Sequence, residues 1–311
     1  MKIGILGYGS QAKRIIKVLK KKKIKSFIIY KPTIKKNIPK FVTNKINDLK
    51  KADIIFICSP NHTHFKYINL FKKKYIFCEK PLVNNIAELK KIRLSKKNKI
   101  FVNYNYRFGY LSEILSKRKK YNLGNLIGGN LVMCQGLATT KLYKKSWRSN
   151  RNLCKLGVFE ILGVHLIDTI AYHFEIKKIN KKLLNLSKVG NSFDTSYFQI
   201  IIEDGVNINC TVSYYSPFVS SQYLIFENGI LEMSQNLIRI RGPRNSFDRN
   251  GFFKKPPIIY QKKLNDVNEY NYSMKKSIDY FLKIAIYKKS FNEKLIKTSI
   301  KTNRFLLNFN N

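Results

Sequence analysis

The chain has 311 residues, with 60 lysines and arginines against 18 aspartates and glutamates, a formal net charge of +42, and 44% hydrophobic residues. This length allows two domains with a sizeable core, and no apolar run reaches the roughly 18 uncharged residues that suggest a membrane-spanning helix. Five scattered cysteines without CxxC spacing exclude a disulfide framework and a zinc-ribbon pattern, so no metal site is expected.

The charge does not point to nucleic acid. Lysines run along the whole chain in company with Ile, Asn, Phe and Tyr, all residues with AT-rich codons, and the clusters at 20–23, 72–74 and 117–120 are short. A concentrated basic stripe is missing, so neither a specific nucleic-acid partner nor a membrane partner is expected. The chain enters an apolar strand at once, without the three regions of a signal peptide, and the expected location is cytoplasmic.

The first dozen residues read as strand, glycine turn and helix. Ile3, Ile5 and Leu6 lead into Gly7-Tyr8-Gly9-Ser10-Gln11-Ala12, followed by the helical pattern Ile15, Ile16, Val18, Leu19. Gly7 permits a sharp turn, Gly9 lets backbone approach a pyrophosphate, and Ala12 lets helix pack on strand. Phosphates would then meet the free N–H groups of a helix N-terminus. Further strands are expected at 26–30, 53–58, 75–78 and 100–104, with helices over 11–23, 64–72 and 86–94. Near-continuous apolar strands alternating with helices predict a doubly wound parallel sheet, in a domain of residues 1–120.

Beyond Gly124 the pattern changes. A helix is expected over 158–174, then alternating strands at 195–203, 206–215, 222–227 and 230–233. Asn228-Gly229 predicts a hairpin with positive φ. Residues 241–257 read as a loop, and helices over 272–287 and 294–307 close the chain. Residues 121–311 therefore form a second α/β domain, with an open, mostly antiparallel sheet and a helix on one face.

Ligands of an open α/β sheet bind beyond the carboxyl ends of its strands. Ser59, Pro60, Asn61 and His64 follow the third strand, and Glu79, Lys80 and Pro81 end the fourth, so both segments share a crevice with Gly7 and Gly9. Lysine in so basic a chain is ordinarily a solvated surface charge. Pro81 constrains the backbone around Lys80 and so presents its ammonium in a set direction, which also fits a functional group. On the 158–174 helix His165 and Asp168 lie three residues apart on one stripe, an arrangement open to a proton-transfer histidine or to a core histidine satisfied by a carbonyl. Trp147 and Arg148 are candidates for sugar stacking and an anion contact. His62 and His64 lack carboxylate or cysteine partners at ligand spacing, and so shape a helix start rather than hold metal. No acidic residue precedes Asp48, and the second strand ends in Tyr30-Lys31, a ring and a cation where an NADP 2′-phosphate would lie. NADP is expected over NAD.

The strings GYGSQA, SPNHTHF, CEKPL, NYNYRF and GVHLID, in this order, resemble the Gfo/Idh/MocA family of oxidoreductases across essentially the whole chain. The resemblance implies a Rossmann domain holding NAD or NADP, and a C-terminal α/β domain whose sheet often makes a dimer or tetramer interface. The implied substrate is a sugar-like small molecule, oxidised or reduced at a hydroxyl-bearing carbon of a sugar, nucleotide sugar or cyclitol. It also implies that Lys80 and His165 are the catalytic lysine and histidine, with Asp168 orienting His165. Tyr104, Tyr106 and Arg107 match the segment leading from the cofactor domain to the substrate domain, with Tyr106 and Arg107 expected to bind substrate. The family commonly has aspartate four residues before the histidine. Here that position is Ile161, and Glu160 lies roughly 140° around an ideal α-helix from His165. The alternative is a cofactor-binding protein with impaired catalysis.

Overall fold

The computed structural model describes residues 1–33, 39–92, 99–264 and 268–307. Packing divides them into two compact units, Met1–Tyr104 with the helical segment from Lys275 onward, and Asn105–Met274.

The first unit holds a six-stranded parallel sheet, β1 (Ile3–Leu6), β2 (Phe27–Tyr30), β3 (Val42–Thr43), β4 (Ile54–Ile57), β5 (Tyr75–Glu79) and β6 (Ile100–Asn103), in the order β3-β2-β1-β4-β5-β6. β1, β4, β5 and β6 are buried along their whole length, as sheets covered on both faces require. Helix α1 (Ser10–Lys21) buries Ala12, Ile15, Ile16 and Leu19, one stripe at helical spacing, and ends in Lys20 and Lys21, where cations suit the macrodipole. α2 spans His64–Leu70, and α3 spans Ile86–Lys91, capped by Asn85 accepting the Glu88 N–H at 2.8 Å. The end of the helix expected over 86–94 lies outside the described residues.

The boundary expected at residue 120 is not where the chain divides. The C-terminal helices belong to the first unit because their apolar faces complete its core: Phe281 packs on Phe56, Phe77 and Phe101 with ring centroids 5.3, 5.2 and 6.0 Å away, and Phe291 stacks on Phe281 at 6.0 Å.

The second unit is built on an eight-stranded sheet. Its strands are β7 (Leu126–Cys134), β8 (Ile176–Leu184), β9 (Thr195–Ile202), β10 (Asn207–Ser213), β11 (Val219–Phe226), β12 (Ile230–Met233), β13 (Leu237–Arg241) and β14 (Ile258–Lys263). The order is β14-β13-β12-β11-β7-β10-β9-β8, antiparallel except where β10 runs parallel to β7. The mostly antiparallel sheet is as expected, although β7, β8, β13 and β14 were not read from the sequence. α4 (Tyr110–Ser116), α5 (Lys141–Lys144) and α6 (Val164–His173) belong to this unit, and the remaining helices are α7 (Asn268–Ile286) and α8 (Glu293–Leu307).

Two local expectations need correction. The hairpin between β11 and β12 forms, but neither Asn228 nor Gly229 has positive φ. Glycine is required at 229 because a β-carbon there would sit 2.4 Å from the Arg241 carbonyl oxygen. The helix before His165 begins with a π turn, Phe159–Gly163. The angular argument that set Glu160 off the His165 face assumed α geometry and does not hold through that turn. Glu160 is buried and its Oε2 accepts the Leu156 N–H at 3.1 Å.

Candidate active site

In the first unit the strand order reverses between β1 and β4, the switch point where α/β sheets receive ligands. Gly7 follows β1 with φ +95°, and a β-carbon on it would lie 3.0 Å from the Cys58 carbonyl oxygen at the end of β4. Any side chain there would collide with the neighbouring strand. Gly9 has only open space where its β-carbon would be, and it caps α1 without a side-chain hydrogen bond. The donors of the first helical turn are thus left facing a cradle without side chains, which fits a pyrophosphate. Tyr8 and Ser10 flank this glycine, and Ala12 is fully buried under it.

Around the cradle several predicted cofactor residues hold one another. Gln11 Nε2 donates to Glu79 Oε1 at 2.8 Å, Asn103 Nδ2 donates to the same oxygen at 2.9 Å, and Ser277 Oγ donates to Asn103 Oδ1 at 2.6 Å. Burial raises the Glu79 carboxyl, opposed by these donors and by Lys80. Glu79 and Gln11 therefore hold the ends of β5, β6 and α1 in register. Ser59 Oγ pairs with Thr63 Oγ1 at 2.6 Å, and Asn61 is buried in the same turn. Tyr30 and Lys31 lie at the end of β2, with the Lys31 N–H on the Thr43 carbonyl at 2.9 Å. Asp48, the first acidic residue, accepts from Thr43 Oγ1 at 2.6 Å.

His64 ties the turn after β4 to the Lys80-Pro81 segment. Its Nδ1 lies 2.8 Å from the Pro81 carbonyl oxygen and its Nε2 lies 3.0 Å from that of Ser59. Complete burial pushes the ring down to about 4, against an ordinary 6.5. Between these values the unfolded chain takes up a proton that the folded chain refuses, so stability is lost as pH falls from 6.5 toward 4. In urea melts between about pH 7 and about pH 5, the native protein should lose about 2 kcal/mol more than a His64→Asn variant. Parallel curves for the two proteins would show that His64 is not held neutral.

The second unit contains a small cavity of about 30 Å³ on the inner face of its sheet. Leu131 and Met133 of β7, Ser220 and Gln222 of β11 and Met233 of β12 line it, alternate residues of paired strands, with Gln222 opposite both Leu131 and Met233. His165, Leu166 and Thr169 enter from α6, joined by Tyr106, Leu111 and Glu269. The Tyr106 ring meets the His165 ring edge-on at 4.9 Å, and Thr169 Oγ1 donates to the His165 carbonyl at 2.9 Å, so the imidazole is held on a fixed turn. Glu269 Oε2 accepts the Tyr110 N–H at 2.9 Å. Burial, with a smaller contribution from Glu113, pushes its carboxyl up to about 7.

Other predicted residues lie elsewhere. Arg107 does not line the cavity: it is buried, donating from Nε to Asp168 Oδ2 at 2.7 Å and from Nη2 to Oδ1 at 2.5 Å. Asp168 is accordingly the anchor of Arg107. Trp147 and Arg148 stack on each other, the guanidinium 4.7 Å from the ring centre, and neither is in the cavity lining. Ile161 is buried core, 7% exposed. Glu269 and Gln222 were missed. Gln222 had a legible signal, being a polar residue on the same face as Leu224 and Phe226, whereas Glu269 follows an uninformative segment.

Residues 1–105 match the model of an oxidoreductase family with an NAD-binding Rossmann fold, Gfo/Idh/MocA. Residues 1–105 are similar to the NAD-binding Rossmann domain of that family. No curated protein sequence matches the chain. Among solved structures, levoglucosan dehydrogenase in complex with NADH and levoglucosan is 15% identical, with 98% of this chain and 95% of that chain covered at a TM-score of 0.79. An oxidoreductase from Agrobacterium radiobacter, in complex with NAD+, L-tartaric acid and magnesium, is 13% identical over 98% and 94% of the two chains, at 0.74. A dehydrogenase, MviM, from Clostridium difficile is 18% identical over 98% and 97%, at 0.71. At these identities the structures establish that both units of this chain share the fold of these solved enzymes. The matched residues include the glycine turn, and no helix among the described residues is long and apolar enough to cross a membrane.

Proposed function

We propose that the chain is an NAD(P)-dependent oxidoreductase acting at a hydroxyl-bearing carbon of a sugar, nucleotide sugar or cyclitol. The observation that carries this reading is the cavity in which His165 stands among hydroxyl, amide and carboxyl groups over an apolar floor, in a chain whose N-terminal unit is built for a dinucleotide. The solved dehydrogenases of the same fold include one crystallised with a sugar-like ligand. The nicotinamide, when bound, supplies the hydride acceptor or donor. Gly7, Gly9 and the first turn of α1 would hold the cofactor's pyrophosphate. His165 moves the hydroxyl proton and Lys80 polarises the same oxygen, so that charge on it is never left uncompensated. Tyr30 and Lys31 favour NADP by offering a ring and a cation where NAD-selecting sites place a carboxylate. Exposed Ile127, Tyr197 and Ile225 on the outer face of the large sheet support assembly into a homo-oligomer.

Fluorescence titration with NADPH and NADH, followed by an absorbance assay with a panel of neutral sugars and cyclitols, tests the reading. The expected result is saturable binding, tighter for NADPH, and cofactor-dependent turnover of at least one panel member. Equal or tighter binding of NADH removes the NADP preference. Cofactor binding without any turnover favours the impaired binder, for which buried Ile161 in place of a carboxylate is the specific argument.

A further inference from the structure

The cavity of the second unit has a chemical bias at odds with the rest of the protein. The chain carries 60 lysines and arginines, yet among the described residues none lines this cavity, whose one carboxyl is Glu269. That carboxyl is built in. Its Oε2 is fixed by the Tyr110 N–H, and its Oε1 fills the space beside Gly109 where a β-carbon would sit.

A second group points the same way. Gln222 is 5% exposed, its Nε2 donates to Ser220 Oγ at 3.1 Å, and its Oε1 has no hydrogen-bond partner among the described residues. With the amide turned the other way the orphan becomes a donor, so one end is left over in either orientation. A buried amide end is costly to leave unsatisfied, and on a face otherwise made of Leu131, Met133 and Met233 an apolar residue would have packed without that cost.

We propose that Glu269 and Gln222 are a hydroxyl-recognising pair that makes this cavity select an uncharged polyol over its phosphorylated or carboxylated counterpart. The inference rests on the oxidoreductase reading and narrows its substrate class. A carboxyl accepts from hydroxyls, or donates to one when protonated, and its elevated pKa gives it both forms near neutral pH. The Gln222 amide serves a hydroxyl equally well from either end. The methionines and leucines match the C–H face of a ring. An anionic group brought here would meet Glu269 on a lining that holds no lysine or arginine, Lys262 acting on that carboxyl from outside it, and binding would favour the neutral ligand by repulsion as well as by attraction.

Ligand-observed saturation-transfer NMR on the full chain tests this without requiring turnover. The probes are glucose, galactose, mannose and myo-inositol, each beside its phosphate monoester, with gluconate as the carboxylate. At least one neutral probe should bind about tenfold or more tighter than its charged counterpart. Glu269→Gln should reduce that preference severalfold. Gln222→Leu should weaken the neutral probe by about tenfold while leaving the thermal midpoint unchanged or raised, since it removes an unsatisfied buried group. It therefore keeps the test open if Glu269→Gln folds poorly. A phosphorylated probe binding as well as its neutral partner, failure of every neutral probe to bind, or unchanged preference in both variants would overturn the pair. Neutral-selective binding without cofactor-dependent turnover would leave the pair standing and remove the oxidoreductase reading, whereas turnover of charged substrates does the reverse.

Discussion

Asp168→Ala is expected to cost the fold about 3–5 kcal/mol in urea denaturation, the usual price of stranding one charge of a buried pair. Both side chains of the Arg107–Asp168 pair are 2% exposed. Two parallel N–H···O bonds satisfy the carboxylate bidentately, and the guanidinium also lies 5.5 Å from the centre of the Tyr172 ring. Without Asp168 the guanidinium is left as an uncompensated buried charge. Arg107→Met with Asp168→Leu should recover most of the loss, because matched apolar replacement removes both desolvation penalties together. A loss below about 1 kcal/mol for Asp168→Ala would place the pair in the solvent-screened class and undo its anchoring role. The consequence reaches function through geometry. Asp168 stands one turn beyond His165 on α6, so the pair fixes the helix that presents the imidazole.

What the sequence disclosed follows from how local each signal was. The parallel strands are continuous Ile, Phe and Val runs because both faces are covered, and that pattern survives without knowledge of neighbours. β7 is broken by Gly128-Gly129, and a β-carbon at 129 would fall 2.5 Å from the Tyr223 carbonyl oxygen, so the glycine reports a close approach to β11 that only the paired structure reveals. β8 reads IKKINKKLL, a lysine-rich edge strand, and β14 is nearly all exposed, so neither shows a clean alternation. The glycine turn was legible because every residue in it acts through its own backbone. Arg107 and Asp168 were not legible as partners, being 61 residues apart, and the meaning of Gln222 depends on a register that sets it opposite Leu131 and Met233. Arg107, expected near substrate, is buried on Asp168, a partner that the local motif could not disclose.

Lys80→Met and His165→Asn should each reduce turnover of the best substrate by about 10²–10⁴, the worth of a positioned acid–base group, with NADPH affinity changing far less. The separation is expected from the fold. The Gly7–Gly9 cradle belongs to one compact unit and His165 to the other, where it lines the cavity. Loss of the imidazole leaves the glycine turn and the first turn of α1 as they were. The double variant carries the sharper information. If both groups act on one substrate oxygen they are not independent, and the combined loss should fall well short of the product of the single losses. Multiplicative losses would mean that lysine and histidine serve different steps. If neither single variant alters turnover, His165 is a core histidine with its ring edge on Tyr106, Lys80 is an ordinary surface cation, and the chemistry lies with other residues.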